Sequence, residues 1–190
     1  MTNTNPAPFL SFWLLPEPRV LAHLQLLVDS LASEHGCSGF VPHLTLSSGW
    51  VNAATAEDTL SSLVADGGLD GLASRFEQHF VGDGSLLHET FGYDLFVCQE
   101  SNNKLDAANA RLRQIMDVSP PAWWHMSLMY KAGGLAAEQA QNVHETIKCS
   151  QWYASPFTYT DLVVIEGIAP IENQSDVADW KEVARWSIAQ

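Results

Sequence analysis

Phe40-Val-Pro-His43-Leu-Thr45-Leu-Ser47 and, 82 positions later, Ala122-Trp-Trp-His125-Met-Ser127-Leu-Met129 are the two stretches whose reading decides the fold. Each alternates polar and apolar residues, as a strand does when one face is buried. On that period His43, Thr45 and Ser47 share one face while Leu44 and Leu46 share the other. His125 and Ser127 repeat the arrangement against Met126 and Leu128.

Working outward from the first stretch, the aromatic run Phe9 to Leu15 ends at Pro16 and reads as a buried strand. Leu21, Leu24, Leu27, Val28 and Leu31 recur at helical spacing, with Gly36 as a stop. A short helix is expected over Thr55 to Ala65, closed by Gly67-Gly68, and a strand over Arg75 to Val81. The same shift of 82 carries this plan onto Phe91 to Val97, Asn102 to Met116, Leu135 to Ile147 and Phe157 to Glu166. Identity across the shift is low, so what repeats is the pattern. Beyond it lie a polar loop at Glu172 to Asp176 and a strand around Trp180 to Ile188.

Two imidazoles facing each other across a cleft suit attack on a phosphodiester. One takes a proton from water, the other gives one to the leaving oxygen, and Thr45 and Ser127 donate hydrogen bonds to phosphate oxygens. The bare pattern His-x-[Ser/Thr] is weak, since His88-Glu-Thr90 and His144-Glu-Thr146 also satisfy it. Context separates the pairs. His43 and His125 have apolar neighbours and follow a strand and a helix at equal distance. His144 falls in a predicted helix, where residues two apart diverge, and His88 falls in a polar connection. Two other readings stand beside the catalytic one: hydrogen-bonded strand histidines without chemistry, and a metal site, which lacks a carboxylate at ligand spacing.

Composition excludes other classes. The 190 residues hold 9 Lys+Arg against 22 Asp+Glu, a formal charge of −13. Such a balance repels long nucleic acids and anionic membranes, which draw affinity from a basic face. A hydrophobic fraction of 46% fits one ordinary globular core. Cys37, Cys98 and Cys149 are odd in number and far apart, which indicates reduced thiols rather than a disulfide framework or a zinc knuckle. The N-terminus has no basic segment, and the apolar run from Phe9 is too short for a signal or a membrane span. A cytoplasmic, soluble protein is expected.

Ser11-Phe-Trp13-Leu-Leu-Pro16, Phe40-Val-Pro-His43-Leu-Thr45-Leu and Trp124-His125-Met-Ser127-Leu-Met-Tyr130 together resemble the two-histidine (2H) phosphoesterase superfamily, and within it the cyclic phosphodiesterase branch. The resemblance implies an α+β, bilobal, internally duplicated fold, with two antiparallel-type sheets around a central cleft and helices outside. It covers residues 1–190 as one domain, with the repeat forming lobes near 9–81 and 91–166 and a C-terminal strand over 177–189. It implies a metal-independent hydrolase, without cofactor, of nucleoside 2′,3′-cyclic phosphates and ADP-ribose 1″,2″-cyclic phosphate, leaving the 2′-phosphate in the nucleoside case. By the same resemblance His43 and His125 are catalytic, with His125 as base and His43 as acid. Thr45, Ser127 and Tyr130 contact the phosphate, and Trp13 stacks on the base. Tyr130 requires a break in simple alternation to reach the face of His125. Trp123 and Trp124 are candidates for the pocket rim. The expected partner is a small cyclic-phosphate nucleotide, with no long nucleic acid, no membrane and a monomeric form. A relative acting on RNA ends, or a nucleotide-binding module without catalysis, is the alternative.

Overall fold

The computed structural model describes residues 8–65, 80–87, 92–100, 103–150 and 155–188. β1 (Phe9–Pro16) is stopped by its proline, which fixes its own φ and has no N–H to extend a ladder. A second proline opens α1 (Pro18–His35), whose stripe Val20, Leu24, Val28 and Leu31 is buried. Gly36 ends that helix at φ 66°, a left-handed conformation in which a side chain would be strained. β2 (Leu44–Trp50) and α2 (Ala53–Ala65) follow. β3 (Phe80–Leu87) and β4 (Gly92–Gln99) come next. α3 (Asn103–Ile115), β5 (His125–Ala132), α4 (Ala137–Lys148) and β6 (Tyr159–Gly167) repeat the earlier alternation. The expected polar loop after β6 contains the short helix α5 (Gln174–Ala178), capped by Asn173, and β7 (Lys181–Ser187) closes the chain. Gly67-Gly68, residues 75–79 of the expected strand, and the His88 motif lie outside the described residues.

Among the described residues seven strands form one sheet in the order β3-β4-β5-β2-β1-β6-β7, and every pairing is antiparallel. The expectation of two sheets is therefore corrected. The two motif strands, β2 and β5, bond to each other through the Leu44–Met126 pair, which fuses the would-be sheets at their centre. Exchanging β1 with β4, β2 with β5 and β3 with β6 turns the order, β7 aside, into its own reverse. The sheet halves are not the sequence halves: β6 pairs with β1, and β3 pairs with β4.

One face of the sheet carries the main core. Leu10, Phe12, Leu14, Leu44 and Leu46 meet Leu24 and Val28 of α1 together with Leu105 and Leu112 of α3, all buried. Each such side chain contributes about 1.5–3 kcal/mol on leaving water. The opposite face bears a second cluster of Trp13, Leu15, Val163 and Ile165, with Trp180 packed on it. Sequence parity thus holds on β1, where Trp13 stands apart from Phe12 and Leu14.

Parity fails on both motif strands at the same point. The β1–β2 register runs Phe12 opposite Ser47 and then Trp13 opposite Thr45, leaving Leu46 as an extra residue. The β4–β5 register runs Leu95 opposite Met129 and then Phe96 opposite Ser127, leaving Leu128 extra. These are β-bulges, and they re-aim every side chain beyond them. Leu46 and Leu128 are themselves 82 positions apart.

Candidate active site

The first bulge turns Ser48, and the second Tyr130, toward the cavity. Beyond Leu46, Ser47 is fully buried and its Oγ accepts from Asn109 Nδ2 of α3 at 2.6 Å, so it does not share the face of His43 and Thr45. Ser48 takes that place, and with Thr45 it lines a cavity of about 240 Å³. The amide of Asn109 also donates to the Leu46 carbonyl at 2.7 Å, satisfying a group on the bulged residue itself. Beyond Leu128 the same geometry brings Tyr130 back to the face of Ser127, and its hydroxyl donates to Ser127 Oγ at 3.0 Å.

Gly49 has a packing explanation. A Cβ there would collide with the Asp117 carbonyl and lie 3.0 Å from Val118 Cα. Ser48 and Ser119 exchange backbone hydrogen bonds beside it, so the chain at 117–119 needs a bare backbone.

The two imidazoles are anchored alike. His43 stands one residue before β2, and its Nδ1 donates to the Val41 carbonyl at 2.7 Å. His125 opens β5, and its Nδ1 donates to the Trp123 carbonyl at 3.0 Å. A carbonyl only accepts, so Nδ1 carries hydrogen in both rings and Nε2 is the atom left for proton transfer.

Their surroundings differ. The His43 ring lies flat on Trp13, with centroids 3.3 Å apart and planes within 6°, and meets the edges of Phe40 and Trp180. It is 4% exposed. Burial pulls its pKa from 6.5 down to about 3, against the upward pull of the Val41 hydrogen bond, and the charge of His125 lowers it further. His125 is half-buried between Phe96 and Trp123, at ring-centroid distances of 5.3 and 5.7 Å.

The cavity is lined by the first motif, by Trp13, by Tyr130 and by the segment Gly167 to Ile171, under the ring of Trp180. His125 and Ser127 stand outside its lining, on the neighbouring strand. No lysine or arginine lines it. Trp13 donates from Nε1 to Ser11 Oγ at 2.7 Å and carries His43 on one face. Trp180 packs so closely on Gly167 that a Cβ there would lie 2.8 Å from its ring. Trp123, 41% exposed, packs beside His125 and Phe96 outside the cavity lining, whereas Trp124 donates to Asp106 at 3.0 Å.

Ser127 is 4% exposed and donates its own proton to Asp94 Oδ2 at 3.2 Å. Burial, and secondly the charge of Asp94, push the Tyr130 phenol well above its ordinary pKa, against the opposing pull of its bond to Ser127.

Four residues of this site went unmarked in the sequence reading: Phe40, Asp94, Asn109 and Trp180. Asp94 is the one charge within the apolar run Phe91 to Val97, and Asn109 occupies the buried stripe Leu105, Ala108, Asn109, Leu112 of α3. Polar residues at core positions were the signal. His144 belongs elsewhere: on α4 it pairs with Asp83 of β3, which Lys148 also meets at 3.3 Å. Among the described residues no three His, Cys, Asp or Glu side chains converge as a metal site. No described helix is long and apolar enough to cross a membrane.

No protein-family model and no curated protein matches the chain. Solved structures do. Escherichia coli LigT complexed with ATP is 15% identical with a TM-score of 0.57, covering 98% of this chain and 100% of its own. The same protein complexed with phosphate is 15% identical at a TM-score of 0.54, with the same coverage. A structure described as a phosphoesterase is 16% identical at 0.53, covering 96% of this chain and 99% of its own. At these identities the likeness establishes the fold: an α+β chain with one seven-stranded antiparallel sheet, similar to LigT over nearly its whole length.

Proposed function

We propose that the protein is a two-histidine phosphoesterase of the 2′,3′-cyclic-nucleotide 3′-phosphodiesterase kind, hydrolysing small cyclic phosphates without a metal. The observation that carries this is the matched anchoring of His43 and His125. Two strands that meet at the sheet centre each hold an imidazole by Nδ1 and leave Nε2 for chemistry. The LigT-like fold supports the reading.

In this mechanism water attacks phosphorus of a nucleoside 2′,3′-cyclic phosphate, one imidazole takes its proton, and the other protonates the departing 3′-oxygen, leaving the 2′-phosphate. The electrostatics favour His43 as base and His125 as acid, the reverse of the assignment implied by resemblance. Burial pulls the His43 pKa down to about 3, so the ring rests neutral at pH 7, the resting form a base needs, and the negative charge of the bound phosphate offsets the cost of the proton it then takes up. Thr45 and Ser48 offer hydroxyls to phosphate oxygens from the first strand, while on the second Tyr130 and Ser127 reach the phosphate once their protons turn toward it from Ser127 and Asp94, which hold them in the free protein. The base lies against the wall that Trp13 shares with Trp180 and Ile165. With −13 overall charge, a free cyclic nucleotide or an ADP-ribose cyclic phosphate suits the site better than a polymer.

Phosphorus NMR of purified protein with a panel of cyclic phosphates and a chelator tests this. Accumulation of a 2′-phosphate is expected. Turnover that requires added Zn²⁺, or none of any cyclic phosphate, contradicts it.

A further inference from the structure

The cavity has a mouth that the phosphate chemistry leaves unused. Across the pairings of β2, β1 and β6, three rows of residues cross this face of the sheet: Thr45, Trp13 and Val163, then Ser48, Ser11 and Ile165, then Trp50, Phe9 and Gly167. The middle row is low, because two of its members are serines. It forms a trough between two aromatic walls, and Trp13 and Phe9, four residues apart on β1, set its span at roughly 13 Å between Cα atoms. Trp13 is the inner wall, held by its bond to Ser11 and carrying His43 on one face. Phe9 against Trp50 is the outer wall, with ring centroids 5.4 Å apart and planes at 73°. Phe9 and Ile168 line the cavity, and Trp50 stands just beyond the lining with 58% of its surface exposed. Ile168 is 50% exposed. Apolar side chains exposed singly need no explanation, but these surround one opening and are continuous with the site.

We propose that Phe9 and Trp50 are a stacking platform for the outer ring of a purine, which makes this a site for purine nucleoside cyclic phosphates. The inference rests on the phosphoesterase reading above and names the base that site selects. With the phosphate at His43 and Thr45, sugar and base run outward over Ser11 and Ser48, and the ring bonded to the sugar lies against the Trp13 wall. A pyrimidine ends there. The second ring of a purine continues past Ile165 toward Phe9, where Trp50 covers it, and so gains apolar contact and stacking that a single ring does not reach. Among the described residues no lysine or arginine lines this stretch, so an uncharged base suits it and the diphosphate of an ADP-ribose does not.

Calorimetric titration of adenosine 2′-phosphate and cytidine 2′-phosphate into wild type, Trp50→Ala and Trp50→Phe tests the platform without needing turnover. A stacked ring is worth about 5- to 150-fold in affinity, so wild type should bind the adenosine compound at least about fivefold more tightly than the cytidine one. Trp50→Ala should weaken the adenosine compound by about fivefold or more and leave the cytidine compound within about twofold, and Trp50→Phe should restore most of the preference. Equal affinity of wild type for the two nucleotides, binding of neither, or a Trp50→Ala that weakens both alike overturns the proposal. The wild-type comparison decides by itself if a variant does not fold. The two readings also fail separately. Purine-selective binding that depends on Trp50, with no hydrolysis of any cyclic phosphate, removes the chemistry and leaves the platform; hydrolysis without base preference does the reverse.

Discussion

Replacing His43 by asparagine should make the fold less sensitive to acid. The amide can still donate to the Val41 carbonyl, which His43 Nδ1 now does at 2.7 Å, but it cannot take up a proton. In the folded protein the imidazole stays neutral until about pH 3, whereas in the unfolded chain it protonates near 6.5. The unfolded state therefore binds more protons throughout that window, so stability falls as pH drops from about 6.5 toward 3. Each pH unit is worth about 1.4 kcal/mol. The loss from this residue is about 2 kcal/mol at pH 5 and approaches about 5 kcal/mol near pH 3. Against a typical net stability of about 5–15 kcal/mol that is a large share. Urea unfolding of wild type and His43→Asn at pH 7.5 and pH 5.0 reads it as a difference of differences, in which the 22 acidic residues common to both proteins cancel. Wild type should lose about 2 kcal/mol more than the variant between the two pH values. Equal losses, within about 0.5 kcal/mol, would refute the claim that the Trp13–Phe40–Trp180 enclosure keeps this ring neutral.

Asn109→Leu leaves the Leu46 carbonyl and the Ser47 hydroxyl without their donor, and should cost about 1–3 kcal/mol in chemical denaturation while slowing turnover through the displaced Thr45. Unchanged stability would mean the amide is incidental to the bulge. Trp180→Ala admits water to His43, whose low pKa is caused first by burial, so the imidazole NMR titration should move up by at least about one unit. A titration that stays near pH 3 would place the cause elsewhere.

Much of this fold was legible because helices and strands announce themselves by period. The α1 stripe ending at Gly36, the Asn102 to Met116 helix and the strand at Phe9 all stand within a few residues of their expected places. What period cannot carry is an insertion in the period. Ser47 reads as a partner of His43 on alternation, yet one extra residue at Leu46 sends it to the helix side and brings Ser48 into the cleft. The same event at Leu128 is what lets Tyr130 meet Ser127. Fusion of the sheet at Leu44–Met126 was equally hidden, since the pairing of strands from opposite halves depends on tertiary packing that neither strand encodes alone. Asp94 shows the converse: its sequence signal was present, a charge inside an apolar strand, but only the pairing of β4 with β5 reveals that it faces Ser127.

The central claim is that His43 and His125 work as a pair on one cyclic phosphate. Its most direct test is the single-turnover rate of adenosine 2′,3′-cyclic phosphate hydrolysis by wild type, His43→Asn and His125→Asn, each verified as folded by circular dichroism. Each replacement is predicted to cost about 10²–10⁴-fold, and the double variant little more than either alone, because the two groups act in one step. A folded His43→Asn or His125→Asn that hydrolyses the substrate at the wild-type rate would contradict the account.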